Sequence, residues 1–203
     1  MNALLQLSRL IDALNERVGR LAMWLVLLSV LISAGNASVR KAFNTSSNAW
    51  LEIQWYLFAG VFLLCAGYTL LHNEHVRIDV ITSRFSKRTQ IWVDIIGLLA
   101  FLLPFVGLTI WLAVPFFYQG YVSGEMSSNA GGLIRWPVYI LMPVGFILLG
   151  LQGLSELIKR IAFLQGRIAD PTLKKVEKTP EEELAEAIRA QAEAAARNGG
   201  KAA

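Results

Sequence analysis

Eight consecutive residues, His72-Asn73-Glu74-His75-Val76-Arg77-Ile78-Asp79, crowd five ionisable side chains between two long apolar runs that carry almost none. Both histidines of the chain are here. With Glu74 and Asp79 they offer imidazole and carboxylate at spacings of three and four, which one helix face could turn toward a metal ion. Nothing elsewhere completes such a site. The lone Cys65 lies inside an apolar run and reads as a small packing residue, and there is no second histidine cluster. A haem would need imidazole deeper in apolar sequence than either histidine stands. The chain has no glycine-rich phosphate loop, no nucleophilic serine setting and no pair of carboxylates within an apolar run. The expectation is a protein without catalytic, metal or cofactor residues, not an enzyme. Asp79 has a plainer use: it can cap a short helix over Val80, Ile81 and Phe85, and it can pair with Arg77 or His75.

The flanking segments say where this cluster sits. Ile53 to Leu71 precedes it and Ile95 to Tyr118 follows, both almost free of charge, and each can cross ~30 Å of hydrocarbon at ~1.5 Å per residue. The whole chain repeats that pattern. Of 203 residues, 55% are hydrophobic and only 17% charged, where a soluble domain would spread about a quarter charged residues throughout. The pattern predicts an all-α membrane protein with four transmembrane helices at about 21–38, 53–71, 95–118 and 136–157. Leu21 to Ser38 is too long for the core of a cleaved signal peptide and is expected to remain as the first span. Residues 1–18 place Leu4, Leu7, Ile11, Leu14 and Val18 at helical spacing, which predicts an amphipathic interfacial helix before the chain turns into the membrane. Residues 166–203 are charged and Ala-rich, with Thr179-Pro180-Glu181-Glu182 as a capping box, and predict a soluble C-terminal helical tail. The net charge of +4 resides at span ends, so membrane lipid is an expected partner and nucleic acid is not.

Smaller features set expectations for packing. Ala22, Ser29, Ser33 and Ala37, then Gly60 with Gly67, then Gly145, Gly150 and Gly153, form small-residue faces on which helices can approach closely in lipid. Glu52 should pair with Arg40 or Lys41 across the first turn. Pro104 should kink the third span. Ser86 can cap that span, Gln119 to Arg135 reads as a flexible polar connection, and Trp136-Pro137 opens the last helix, where Pro143 makes it kinkable. Lys and Arg near span ends number twelve on the side of both termini and the His75 connector, against Arg40, Lys41 and Arg135 on the other, which predicts cytoplasmic termini.

Asn36-x3-Arg40 after the first span, Glu52 opening the second, His75-Val-Arg77-Ile-Asp79 closing it, and Trp136-Pro137 with Pro143-Val-Gly145 in the fourth together resemble the small membrane (DctQ-like) subunit of tripartite ATP-independent periplasmic (TRAP) transporters. The resemblance runs from about Leu10 to Phe163 and excludes the tail; the family pattern has an apolar residue where Arg77 stands. It implies a bacterial inner-membrane uptake system in which a periplasmic solute-binding protein delivers an organic acid or related solute to a large multi-span permease subunit driven by a sodium gradient. This chain would scaffold that permease. Arg40, Glu52, His75, Arg77, Asp79, Trp136 and Pro143 then stand as candidate subunit-contact or structural residues. The other class open is a free-standing four-helix membrane adaptor or assembly factor.

Overall fold

Backbone amides in hydrocarbon can bond only to one another, which forces long apolar runs into helix. The computed structural model of the protein describes residues 2–45, 47–74 and 85–170. It contains four helical segments long and apolar enough to cross a membrane, Asn2–Phe43, Asn48–Leu71, Lys87–Ser123 and Trp136–Leu164. The elements are α1 (Asn2–Phe43), α2 (Asn48–Leu71), α3 (Lys87–Gly97), a π-helical turn at Leu98–Leu102, α4 (Leu103–Ser123), the single-turn α5 (Trp136–Tyr139) and α6 (Leu141–Leu164). Met1–Thr172 forms one compact unit. The tail expected to be helical lies, from residue 171 on, outside the described residues.

The bundle is organised around α6, which packs on α1, α2 and the α3–α4 span. Glycines decide how close its neighbours come. A Cβ on Gly145 would lie 2.7 Å from the carbonyl oxygen of Leu63 on α2, and one on Gly153 or Gly150 would strike Leu102 or Val106 at 2.6 and 2.9 Å. On the α1–α2 side, Gly60 receives Leu25 and Gly67 receives the Asn15 side chain. These contacts give close backbone approach where apolar burial supplies little drive for association.

Several expectations change. The helix over 1–18 exists, but only as the first half of a continuous α1, and no turn occurs near Val18. Ser8, Asn15 and Gly19 are buried together with Ile11 of the expected apolar set, while Leu4, Leu7 and Leu14 keep to the outside, 46%, 48% and 43% exposed, where lipid can cover them. The polar stripe has a polar partner on α6, so it turns inward. Of the small residues on the first span only Ala22 is buried, while Ser33 and Ala37 face outward. The third span starts at Lys87 rather than Ile95, capped by Ser86, whose hydroxyl accepts from the Thr89 amide at 3.4 Å. The strain expected at Pro104 falls on the π turn directly before it, which re-registers the helix hydrogen bonds around the missing proline donor. The connection over 119–135 is not a loose loop: α4 continues to Ser123, Gly124 closes it at φ 61°, and Met126 bridges to Ile134.

Gly145→Ala should destabilise the purified protein by about 1–3 kcal/mol, because its methyl meets backbone that cannot move aside. Gly107→Ala, where nothing stands within 4 Å, should leave thermal unfolding in detergent unchanged or slightly raised. Equal loss at both positions would remove the close-approach argument.

Candidate functional site

Two polar clusters sit at opposite ends of the apolar bundle. The larger joins α1, α3 and α6. On α6, Gln152, Ser155, Glu156 and Lys159 recur at helical spacing and meet Ser8, Asp12 and Asn15 of α1, which do the same. Gln152, Ser155, Glu156 and Arg160 are all at most 3% exposed. Glu156 accepts from both Lys159 and Arg160. The Arg160 Nε donates to Asp94 Oδ2 at 3.1 Å, and Lys159 Nζ reaches Asp12 Oδ2 at 3.2 Å. Asp12 Oδ1 also accepts from Ser155 Oγ at 2.7 Å and from Gln152 Nε2 at 2.9 Å. One rung up, Asn15 Nδ2 donates to Gln152 Oε1 at 3.0 Å, and one rung down Ser8 and Ser155 share a 2.7 Å hydrogen bond. Buried charges survive only when paired and hydrogen-bonded, and here three helices supply the partners.

The smaller cluster is centred on Glu52, 5% exposed near the start of α2. Its carboxylate accepts from the Ser127 hydroxyl, from Asn129 Nδ2 at 2.8 Å and from the Leu133 amide at 2.7 Å. Asn48 and Tyr56, one turn to either side, donate to the carbonyls of Ala130 and Ile134 at 2.9 and 3.2 Å. Gly132 is required beneath this carboxylate, since a Cβ there would sit 2.6 Å from Ser127. Glu125 completes the cap, accepting from Arg135 and Tyr139 at 3.0 Å each. The expected pairing of Glu52 with Arg40 or Lys41 is therefore overturned: the carboxylate faces the 124–135 connection, and Arg40 stands exposed at the end of α1.

Of the other predicted residues, Trp136 starts α5 and meets Tyr121 edge-on at 5.7 Å, and Pro143 is buried in the first turn of α6. His72 pairs with Glu16 at 2.7 Å, tying the end of α2 to α1. His75, Arg77 and Asp79, with the short helix expected after them, lie outside the described residues. The larger cluster was not expected: read one segment at a time, Glu156, Lys159 and Arg160 are simply charges at the end of the last apolar run. Its signal was a pair of matching polar stripes, Ser8-Asp12-Asn15 and Gln152-Ser155-Lys159.

The family model described as "Tripartite ATP-independent periplasmic transporters, DctQ component" matches residues 29–163, well over half the chain. The chain belongs to the DctQ family. No curated protein and no solved structure gives a significant match. DctQ chains are the small membrane component of TRAP transporters, which agrees with a four-span helical protein. The matched DctQ region takes in all of the Glu52 cap but, on the α1 side, begins after Ser8, Asp12 and Asn15. The α6 half of the larger cluster thus lies within the family region and its α1 half before it.

Arg160→Gln should cost about 3–5 kcal/mol, since it leaves Glu156 and Asp94 buried with a shared cation removed. Adding Glu156→Gln should recover part of that loss in a double-mutant cycle followed by unfolding in detergent. A single-variant loss below about 1 kcal/mol would show that the cluster is not electrostatically coupled.

Proposed function

We propose that this chain is the static small subunit of a TRAP-type secondary transporter, scaffolding a large multi-span permease for sodium-gradient-driven uptake of an organic acid or related solute delivered by a periplasmic binding protein. The observation that supports it is how the buried charge is used. Glu52, Glu156 and Arg160 are each engaged by ties within this chain, leaving a broad apolar exterior with aromatic residues such as Trp55, Phe62, Phe101 and Trp111 at least 70% exposed. Such an exterior suits lipid and a large membrane partner. The permease would then carry the solute and ion sites. His75 and Asp79 are the residues we assign to holding the partner, from the resemblance and from their place where α2 ends. Membership of a tripartite family argues against a free-standing adaptor.

Reconstituted with a permease and binding protein encoded beside it, the chain should be required for sodium-dependent uptake in proteoliposomes; uptake by the permease without it would overturn the scaffold role. Asp79→Asn still caps a helix, so a purely structural Asp79 predicts near-silence. We expect instead at least tenfold weaker recovery of the complex with insertion intact, as a partly dry ionic contact loses its partner.

Both termini are placed in the cytoplasm of a bacterial inner membrane, supported by the twelve-to-three distribution of Lys and Arg. A single cysteine at the exposed Ser128, in a Cys65→Ser background, should react with an impermeant thiol reagent added from the periplasmic side. Protection there, with labelling at a cysteine in the 75–84 connector, would invert the topology.

A further inference from the structure

The sequence motif Asn36-x3-Arg40 has no role in either polar cluster, and the structure gives it a different setting. Where α1 ends and α2 begins, the two helices enclose a cavity of about 570 Å³. Its apolar wall is made by Ile32, Gly35 and Val39 of α1, and a Cβ on Gly35 would meet nothing within 4 Å. The rim is polar. Asn36 and Ser47 both line it, and the Ser47 hydroxyl, although at the N-cap of α2, is not used in capping. Ile32 and Asn36 line the cavity and Arg40 follows at the next four-residue step, so it stands on the same helix face one turn beyond the rim.

Arg40 and Lys41 are exposed, and among the described residues neither forms an ion pair, the nearest expected carboxylate, Glu52, being engaged by the 124–135 connection. Sidedness does not account for them, because Lys and Arg concentrate at the other end of the bundle. Trp50 lines the same cavity while 50% exposed. An indole so placed marks the headgroup level of a bilayer. We propose that the α1–α2 junction binds a phospholipid of net negative charge, of the phosphatidylglycerol class, with an acyl chain in the cavity and its phosphate between Arg40 and Lys41. The apolar wall descends two helical turns below the cations, a depth that an acyl chain fills and an acidic protein loop does not. A zwitterionic headgroup would bring its own ammonium against two cations, which disfavours it. The site belongs to this chain alone, so its test does not depend on the permease.

The test is native mass spectrometry of the full chain in mild detergent, titrated with phosphatidylglycerol, phosphatidylethanolamine or the water-soluble headgroup glycerophosphoglycerol. One phosphatidylglycerol should be retained per chain, about tenfold tighter than phosphatidylethanolamine, with no retention of the free headgroup. Arg40→Gln with Lys41→Gln should abolish that preference, and Gly35→Leu, which fills the cavity where there is room for it, should abolish retention while helicity by circular dichroism stays unchanged. Equal binding of the two lipids, binding of the headgroup alone, or retention indifferent to both variants would overturn the proposal. So would a charge-neutral variant that keeps the lipid but loses recovery of the large subunit, which would assign the cations to a protein contact.

Discussion

The register of α6 against α1 and α3 answers to the need to pair a buried carboxylate. Glu156 is 1% exposed in the α6 interface, where an isolated ion would cost several kcal/mol after relaxation. It meets this with two cations from its own helix, Lys159 and Arg160, and each of those then needs a second carboxylate. Asp12 on α1 and Asp94 on α3 supply them. The pairing is thus not local to α6 but recruits one residue from each of two other helices. Such a cluster is poor evidence of net stability, since well-packed apolar residues of similar volume often serve as well or better for that alone. Its effect is on register. Sliding α6 by one turn, ~5.4 Å, would separate Glu156, Lys159 and Arg160 from their partners together, and apolar helix faces in lipid impose no comparable penalty.

The same logic explains which side of the first half of α1 faces the bundle. In water a helix with leucines on one face and Ser8, Asp12 and Asn15 on another would bury the leucines, whereas at a membrane lipid can cover them. Here the polar stripe of α6 offers a complementary surface, and hydrogen bonds to charged groups are the stronger ones, so Leu4, Leu10 and Leu14 are left outside. Gly67 makes the approach possible. The Asn15 carbonyl oxygen lies where a Cβ on that glycine would be, and it is the single buried side-chain polar atom without a partner among the described residues. Its contact is the glycine backbone itself, which takes the place of a donor only weakly.

What the sequence made legible was whatever depends on one segment at a time. Four apolar runs, the Ser86 cap, the Trp136-Pro137 start and the glycine faces of α2 and α6 all follow from local composition and spacing, and all appear in the structure. Features that need two segments were not legible. Glu52 looked like a partner for Arg40 because the two are close in sequence, yet Asn48, Glu52 and Tyr56 share one face, and that face meets a connection more than seventy residues away. The 124–135 segment looked loose because it is rich in Gly, Ser and Asn. Those residues are there because a carboxylate needs donors and room: Ser127 and Asn129 donate, and Gly132 leaves space. Pro104 was read as a kink, and the structure sets a π turn over Leu98–Leu102 just before it, a feature that local spacing does not announce.

The two polar clusters also divide the bundle mechanically. At one end, charges from α1, α3 and α6 interlock; at the other, α2 holds the connection that leads into α5 and α6. α6 is tied into both, and between them Gly145 seats it against the backbone of α2 while Gly150 and Gly153 receive the side chains of Val106 and Leu102 from the third span. A rotation or tilt of α6 large enough to open a path through the apolar middle would have to break ion pairs at one end and the Glu52 contacts at the other. Neither set can be replaced by water in the bundle interior. The third span is less constrained, packing on α6 but scarcely on α1 or α2 and carrying the π turn at its midpoint. Ala100, Pro104 and Gly107 along it are small and exposed. A body whose interior is held at both ends and which offers such an outward face suits the stationary role proposed for this chain beside a larger partner.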